Sequence, residues 1–231
     1  MLIVAEIGVN WRGDFDLLEK MLINSKSAGF DSVKFQAFNE AIIGEHPKKE
    51  ELMACSITAE NIEQINTLAT NIGIDWFCTP MYSDAVELLS PYVKRFKIRE
   101  LDGRLLLRNE ITPLIQKVLN TKKDILVSVN HSPNSSKLKN SEQIKWLYCV
   151  PKYPCQLKDI DFKNIKNFDG YSNHCIDQNA IIEIAKIGAE IIELHVTQDK
   201  KGNYIDNSVS FDFVESKKIL NKIKELRNNH E

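Results

Sequence analysis

No stretch of this 231-residue chain approaches the roughly 18 consecutive apolar residues of a membrane-spanning helix. The N-terminus, Met1-Leu2-Ile3-Val4-Ala5-Glu6, meets a carboxylate too early for a secretory leader. An excess of one charge sign is missing as well. Thirty Lys and Arg oppose 32 Asp and Glu, for a net charge of -2, which gives no electrostatic case for nucleic acid or an anionic membrane as partner. There is no GxGxxG fingerprint, no CxxC pair, no linker, no low-complexity tract and no long repeat. Five cysteines (Cys55, Cys78, Cys149, Cys155, Cys175) make an odd set, three of them in or beside apolar runs, which fits reduced thiols. With 43% hydrophobic and 27% charged residues, general disorder is excluded. The expectation is one soluble, cytoplasmic domain over residues 1–231 whose partners are small molecules.

What is present is alternation. Strand-like runs start near residues 2, 32, 75, 95, 124, 144, 168 and 190, each followed by a helical or quasi-helical segment. Helical spacing covers residues 14–28, 61–72, 83–89, 109–119, 177–188 and 211–226, with Gly29, Gly73 and Gly188 as stops. Segment 133–141 holds at most a short helix and 159–165 a weak helical turn, and the polar connection after Phe38, with Pro47 and a charge cluster at residues 48–51, reads as a lid or mobile loop. Eight βα units in this length predict an α/β fold, a single (β/α)8 TIM barrel.

In such a barrel the C-terminal strand ends carry function. Here they supply Glu6, Lys34 with Gln36, Thr79, Lys97, Ser128, a Lys152-Tyr153-Pro154 loop, Ser172 with His174, and Glu193 with His195. His174 and His195 close successive strands of one βα unit, so they can meet at one sheet edge, where two imidazoles suit a divalent metal with positions open for substrate and water. The competing reading makes His195 an interior hydrogen-bonded residue and His174 a turn residue. Lys34 and Lys97 lie inside apolar runs and need anionic partners. They either pair internally with Glu6 and Glu193 or, with the Ser and Thr hydroxyls, receive a phosphorylated or carboxylated ligand.

Seven pieces in order carry a resemblance: Ala5-Glu6-Ile7-Gly8-Val9-Asn10 with Gly13-Asp14, Val33-Lys34-Phe35-Gln36, Cys78-Thr79-Pro80, Phe96-Lys97-Ile98, Tyr153-Pro154, Gly170-Tyr171-Ser172-Asn173-His174, and Glu193-Leu194-His195-Val196-Thr197. Together they resemble the catalytic barrel of the sialic acid synthases, which condense phosphoenolpyruvate with an amino sugar. The resemblance implies that His174 and His195 hold a catalytic Mn²⁺ or Mg²⁺. It implies that Lys34, Thr79, Lys97, Ser128 and Ser172 hold the phosphate and carboxylate of phosphoenolpyruvate, with Glu193 beside them. Gln36, Tyr153 and Asp206 match positions that face the sugar. Glu6 matches the carboxylate beside the metal, and Asp102 matches an acid that helps water add, although by residue type Asp102 reads equally as a loop residue in a turn with Gly103.

The departures from that family are specific. Glu100 stands where a small hydroxyl residue is usual; strand alternation turns it outward if Lys97 points in, the favoured geometry, whereas a strand that ends or bulges there turns it inward to pair with a lysine or arginine. Val129-Asn130-His131, Pro151, Trp11-Arg12 and Asn173 also differ from the family pattern, as does the 200–206 loop. Relatives carry a C-terminal antifreeze-like domain beyond the position of Glu231. This leaves a homodimer, a separate chain supplying that part, or a site that works without it. Three functions remain: a metal-dependent synthase joining phosphoenolpyruvate to an aldose, a barrel aldolase or lyase on a related keto-acid sugar, and a non-catalytic sugar-binding paralogue.

Overall fold

The structure is a computed structural model and describes residues 1–228. Its elements run β1 (Leu2–Glu6), α1 (Phe15–Ala28), β2 (Ser32–Ala37), α2 (Glu40–Ile43), α3 (Lys49–Cys55), α4 (Ile62–Ile72), β3 (Asp75–Pro80), α5 (Ser83–Leu89), β4 (Arg95–Ile98), α6 (Glu100–Leu107), α7 (Pro113–Asn120), β5 (Asp124–Val129), β6 (Ile144–Tyr148), β7 (Gly170–Asn173), α8 (Gln178–Ile187), β8 (Ile191–Thr197), β9 (Phe211–Asp212) and α9 (Phe213–Asn228). The first eight strands pair in sequence order, all parallel, and β1 also pairs with β8, so the sheet closes into the expected (β/α)8 barrel. Short 3-10 turns at Pro133–Ser135, Leu157–Asp159 and Ile165–Asn167 stand where the fifth and sixth helices would otherwise be. Among the described residues no helix is long and apolar enough to cross a membrane.

Caps explain several boundaries. Asp14 accepts hydrogen bonds from the amides of Asp16 and Leu17, and Gly29 ends α1 in the left-handed conformation. Asp177 and Gly188 do the same for α8. Thr112 caps α7 through the amide of Ile115, with Pro113 at its first position. That helix therefore begins four residues later than residue 109, where periodicity alone starts it. The expected loop around Gly103 is instead the helix α6, and the segment after Phe38 contains the short helices α2 and α3. Its far end is anchored, because Trp11 Nε1 donates to the Cys55 carbonyl and Ser56 Oγ bonds both backbone groups of Phe38.

Strand alternation sorts the side chains. Val33, Phe35 and Ala37 are buried on one side of β2, where Phe35 packs edge-on against Trp76 of β3, whereas Lys34 and Gln36 reach the barrel mouth. Register then makes neighbours: Glu6 lies opposite both Lys34 and His195, Gln36 opposite Thr79, and Ser172 opposite Glu193. All five cysteines are buried and unpaired.

Candidate active site

A cavity of about 310 Å³ opens at the C-terminal mouth of the barrel. Twelve of the thirteen residues singled out from the sequence line it: Glu6, Lys34, Gln36, Thr79, Lys97, Ser128, Tyr153, Ser172, His174, Glu193, His195 and Asp206. Asp102 is the exception. It sits in the first turn of α6, behind the cavity wall, where its carboxylate accepts a 2.6 Å bond from Arg99 Nε.

Buried charge organises the floor. Glu193 bridges the two lysines, with Lys97 Nζ 2.8 Å from one carboxylate oxygen and Lys34 Nζ 3.7 Å from the other, and it accepts a 2.8 Å bond from Ser172 Oγ. Glu6 lies 2.8 Å from Lys34 and accepts a 2.8 Å bond from Gln36 Nε2. Against its own burial, Glu193 is held down to about 2 by Lys34 and Lys97, whereas burial pushes Glu6 above the usual carboxylate range. Burial would lower Lys34, but Glu193 and Glu6 hold it above its ordinary value; Lys97, with Glu193 as its one carboxylate, is pulled down by burial. The internal pairing allowed by the residue types is thus present, together with a ligand-sized space beside it.

The histidines form the opposite wall. His174 Nδ1 lies 3.0 Å from the Val150 carbonyl and His195 Nδ1 3.2 Å from that of Asn173. Each carbonyl must accept, so Nδ1 carries the proton and each Nε2 keeps a lone pair. Burial lowers both rings to about 4, leaving them neutral at pH 7. Their centroids are 5.3 Å apart. Two rings sharing one ion through bonds of about 2.1 Å would stand roughly 5 Å apart, so the separation fits a common metal. Glu6 Oε2 is buried without a hydrogen-bond partner, a second feature that suits a cation with its water. No cluster of three His, Cys, Asp or Glu side chains suited to a metal occurs among the described residues.

Tyr153 packs edge-on against both imidazoles, at 4.9 and 5.6 Å between centroids, and lines the cavity together with Asp206. Burial pushes Asp206 up to about 6. The loop bearing Asp206 is held by Asn10, which accepts from the Asp206 amide at 3.1 Å and donates to the Val196 carbonyl at 2.9 Å. Gly8, at φ +52°, keeps this corner open, since a Cβ there would lie 3.1 Å from Glu6 Oε1 and 3.3 Å from both Asp206 Oδ2 and Gln36 Nε2.

Reasoning from strand ends missed several wall residues: Val9, Leu52, Met81, Cys149 and Ile205. Cys149 follows β6 directly and was legible as a strand-end residue; burial raises its thiol to about 12, so it is no nucleophile at neutral pH. Glu100 corrects the outward orientation expected for it. The strand ends at Ile98 and α6 begins at Glu100, so alternation stops applying and Glu100 lines the cavity, with its side chain 13% exposed and paired with Arg104. The wall therefore holds three cations (Lys34, Lys97, Arg99) against four carboxylates (Glu6, Glu100, Glu193, Asp206), and it is not the positive mouth that the two lysines suggest.

A sialic acid synthetase from Leptospira borgpetersenii serovar Hardjo-bovis superposes with a TM-score of 0.86 at 23% identity, over 99% of this chain and 84% of that one, a likeness of fold. An uncharacterized protein of Methanocaldococcus jannaschii is 29% identical over 96% of this chain and 69% of its own length. The N,N'-diacetyllegionaminic acid synthase of Legionella pneumophila is 26% identical over 96% of this chain and 71% of its own length. The NeuB family model matches residues 21–230, from the first barrel helix through the last, and the chain belongs to the NeuB family.

Proposed function

We propose that this chain is a metal-dependent synthase that condenses phosphoenolpyruvate with an amino sugar or other aldose to give a sialic acid-like 2-keto sugar acid. C3 of the enol pyruvate bonds to the aldehyde carbon, water adds at C2, and inorganic phosphate leaves. The observation that carries this reading is the junction, in one cavity of a NeuB-family barrel, of two neutral histidines with a lysine, carboxylate and hydroxyl network. Mn²⁺ or Mg²⁺ on His174 and His195 would supply Lewis acidity to the sugar aldehyde, and its two positive charges would offset the surplus carboxylate of the wall.

The chain's own groups divide the remaining work. Lys34, Lys97, Thr79, Ser128 and Ser172 offer donors to the phosphate and carboxylate; Ser128 Oγ is buried and unpartnered, so a ligand acceptor would satisfy it. Glu193 supplies the counter-charge that both ammonium groups face. Gln36, Tyr153 and Asp206 line the sugar side, and Glu6, with one free oxygen and a raised pKa, is suited to hold a proton there. Asp102 is not available as the acid that assists water addition while Arg99 holds it.

Release of inorganic phosphate from phosphoenolpyruvate, with Mn²⁺ and a panel of aldoses, tests the reading. Glu100 in the wall favours one rival, a barrel lyase on a related keto-acid sugar that does not use phosphoenolpyruvate. Pyruvate release from a sialic acid-like substrate, without phosphate release, would select that rival.

A further inference from the structure

Arg99 is the one cation of the cavity wall not held by Glu6 or Glu193. Its Nε donates to Asp102 Oδ2 at 2.6 Å, and Nη1 meets the Met81 sulfur at 3.3 Å, a weak acceptor. Among the described residues no oxygen accepts from Nη1 or Nη2. Four of the five guanidinium N–H groups therefore have no strong partner, while the fifth fixes the plane of the group. The other arginine of this helix, Arg104, is tied to Glu100.

A second observation comes from the neighbouring strand end. Ser128 Oγ lines the same cavity, is buried and has no hydrogen-bond partner. The first turn of α6 lies directly on this strand end, because a Cβ at Gly103 would come within 2.2 Å of the Ser128 carbonyl oxygen. A glycine is required for that approach, and the approach makes Arg99 and Ser128 parts of one wall. Lys97, one strand before, brings a buried ammonium to the same wall.

We infer that Arg99, oriented by Asp102, binds the phosphate of the enol-pyruvate substrate together with Lys97 and Ser128, and that Asp102 is a positioning residue. The inference rests on the condensation reading for its substrate. A planar fork with free N–H groups suits two phosphate oxygens at once, a task for which the ammonium of Lys97 is a single point charge. It also accounts for the tolerance of Glu100 in this wall. Arg104 answers the Glu100 carboxylate, and Arg99 adds the positive charge that a phosphate needs.

The test uses the full chain with Mn²⁺, comparing wild type with Arg99→Ala, Arg99→Lys and Asp102→Asn. Losing a charge-assisted pair is expected to raise KM for phosphoenolpyruvate roughly tenfold to a hundredfold in Arg99→Ala, with KM for the sugar unchanged. Arg99→Lys should recover part of the loss, and Asp102→Asn should raise the same KM several-fold while kcat stays within about twofold. An unchanged KM in Arg99→Ala overturns the inference and leaves the condensation reading intact. A fall in kcat with unchanged KM in Asp102→Asn assigns Asp102 a chemical role and overturns its positioning one. Thermal stabilisation by inorganic phosphate separates the two readings without turnover. If wild type turns over no aldose, yet phosphate stabilises it and not Arg99→Ala, the anion site stands and the condensation reading fails. If phosphate stabilises Arg99→Ala as much as wild type, the site is not at Arg99.

Discussion

Glu193→Gln removes one charge from a place where two buried ammonium groups depend on it. Lys34 keeps Glu6 at 2.8 Å, but Lys97, 2% exposed, loses its one carboxylate partner. Breaking a buried ion pair from one side costs about 3–5 kcal/mol, because the remaining charge is neither solvated nor paired. The shift of Glu193 has the matching direction: against its own burial, Lys34 and Lys97 hold its carboxyl down to about 2. A depressed carboxylate contributes this stability above its unfolded pKa and loses it as pH falls through the folded one, so the contribution should be whole above pH 5 and fade toward pH 2. Urea unfolding followed by circular dichroism at pH 7 should show a loss of about 3–5 kcal/mol, a fall in Tm of roughly 6–20 °C for a domain of this size. Lys97→Met with Glu193→Gln should recover much of it, since the orphaned ammonium is then gone. A loss under about 1 kcal/mol in the single variant, at unchanged m-value, would refute the claim that this pair organises the floor.

Glu100→Ser removes a carboxylate from the anion-binding wall and frees Arg104, so KM for phosphoenolpyruvate should fall several-fold in phosphate-release assays; an unchanged or raised KM would show that Glu100 does not oppose the phosphate. His174→Ala and His195→Ala should each abolish both turnover and the rise in Tm that Mn²⁺ confers on wild type, and a retained Mn²⁺ shift would remove that residue from the metal set. Both histidines fall from 6.5 to about 4 on folding, so the unfolded chain takes up protons first as pH drops and stability declines between pH 6.5 and 4. Asp206, raised to about 6, works in the opposite sense, and the comparison of wild type with His195→Asn isolates the imidazole share: the decline should be shallower in the variant. Gly8→Ala places a Cβ against Glu6, Gln36 and Asp206 at a positive φ, and should cost about 1–3 kcal/mol and lower kcat; wild-type stability and rate would mean that the corner gives way.

Much of the site was written locally. A strand of alternating residues sends every second side chain to the barrel mouth, so Lys34, Gln36, Glu193 and His195 could be assigned there from their neighbours alone, and the eight βα units dictated closure. Gly29, Gly73 and Gly188 marked helix ends because a left-handed residue does so wherever it occurs. Packing between segments distant in the chain decided the rest. Whether Lys34 and Lys97 would be free or paired depended on the register that sets Glu6 beside Lys34 and on the bridge from Glu193 to Lys97, 96 residues away. Alternation past Ile98 misled for Glu100, because the strand stops and α6 starts once Gly103 can lie against the end of β5. Asn10 was visible only as part of a motif, since its reason for being there, the loop carrying Asp206, arrives 196 residues later. Periodicity reports which face of an element is buried; which charges then meet across the barrel is settled by closure, where low dielectric makes each unpaired group costly.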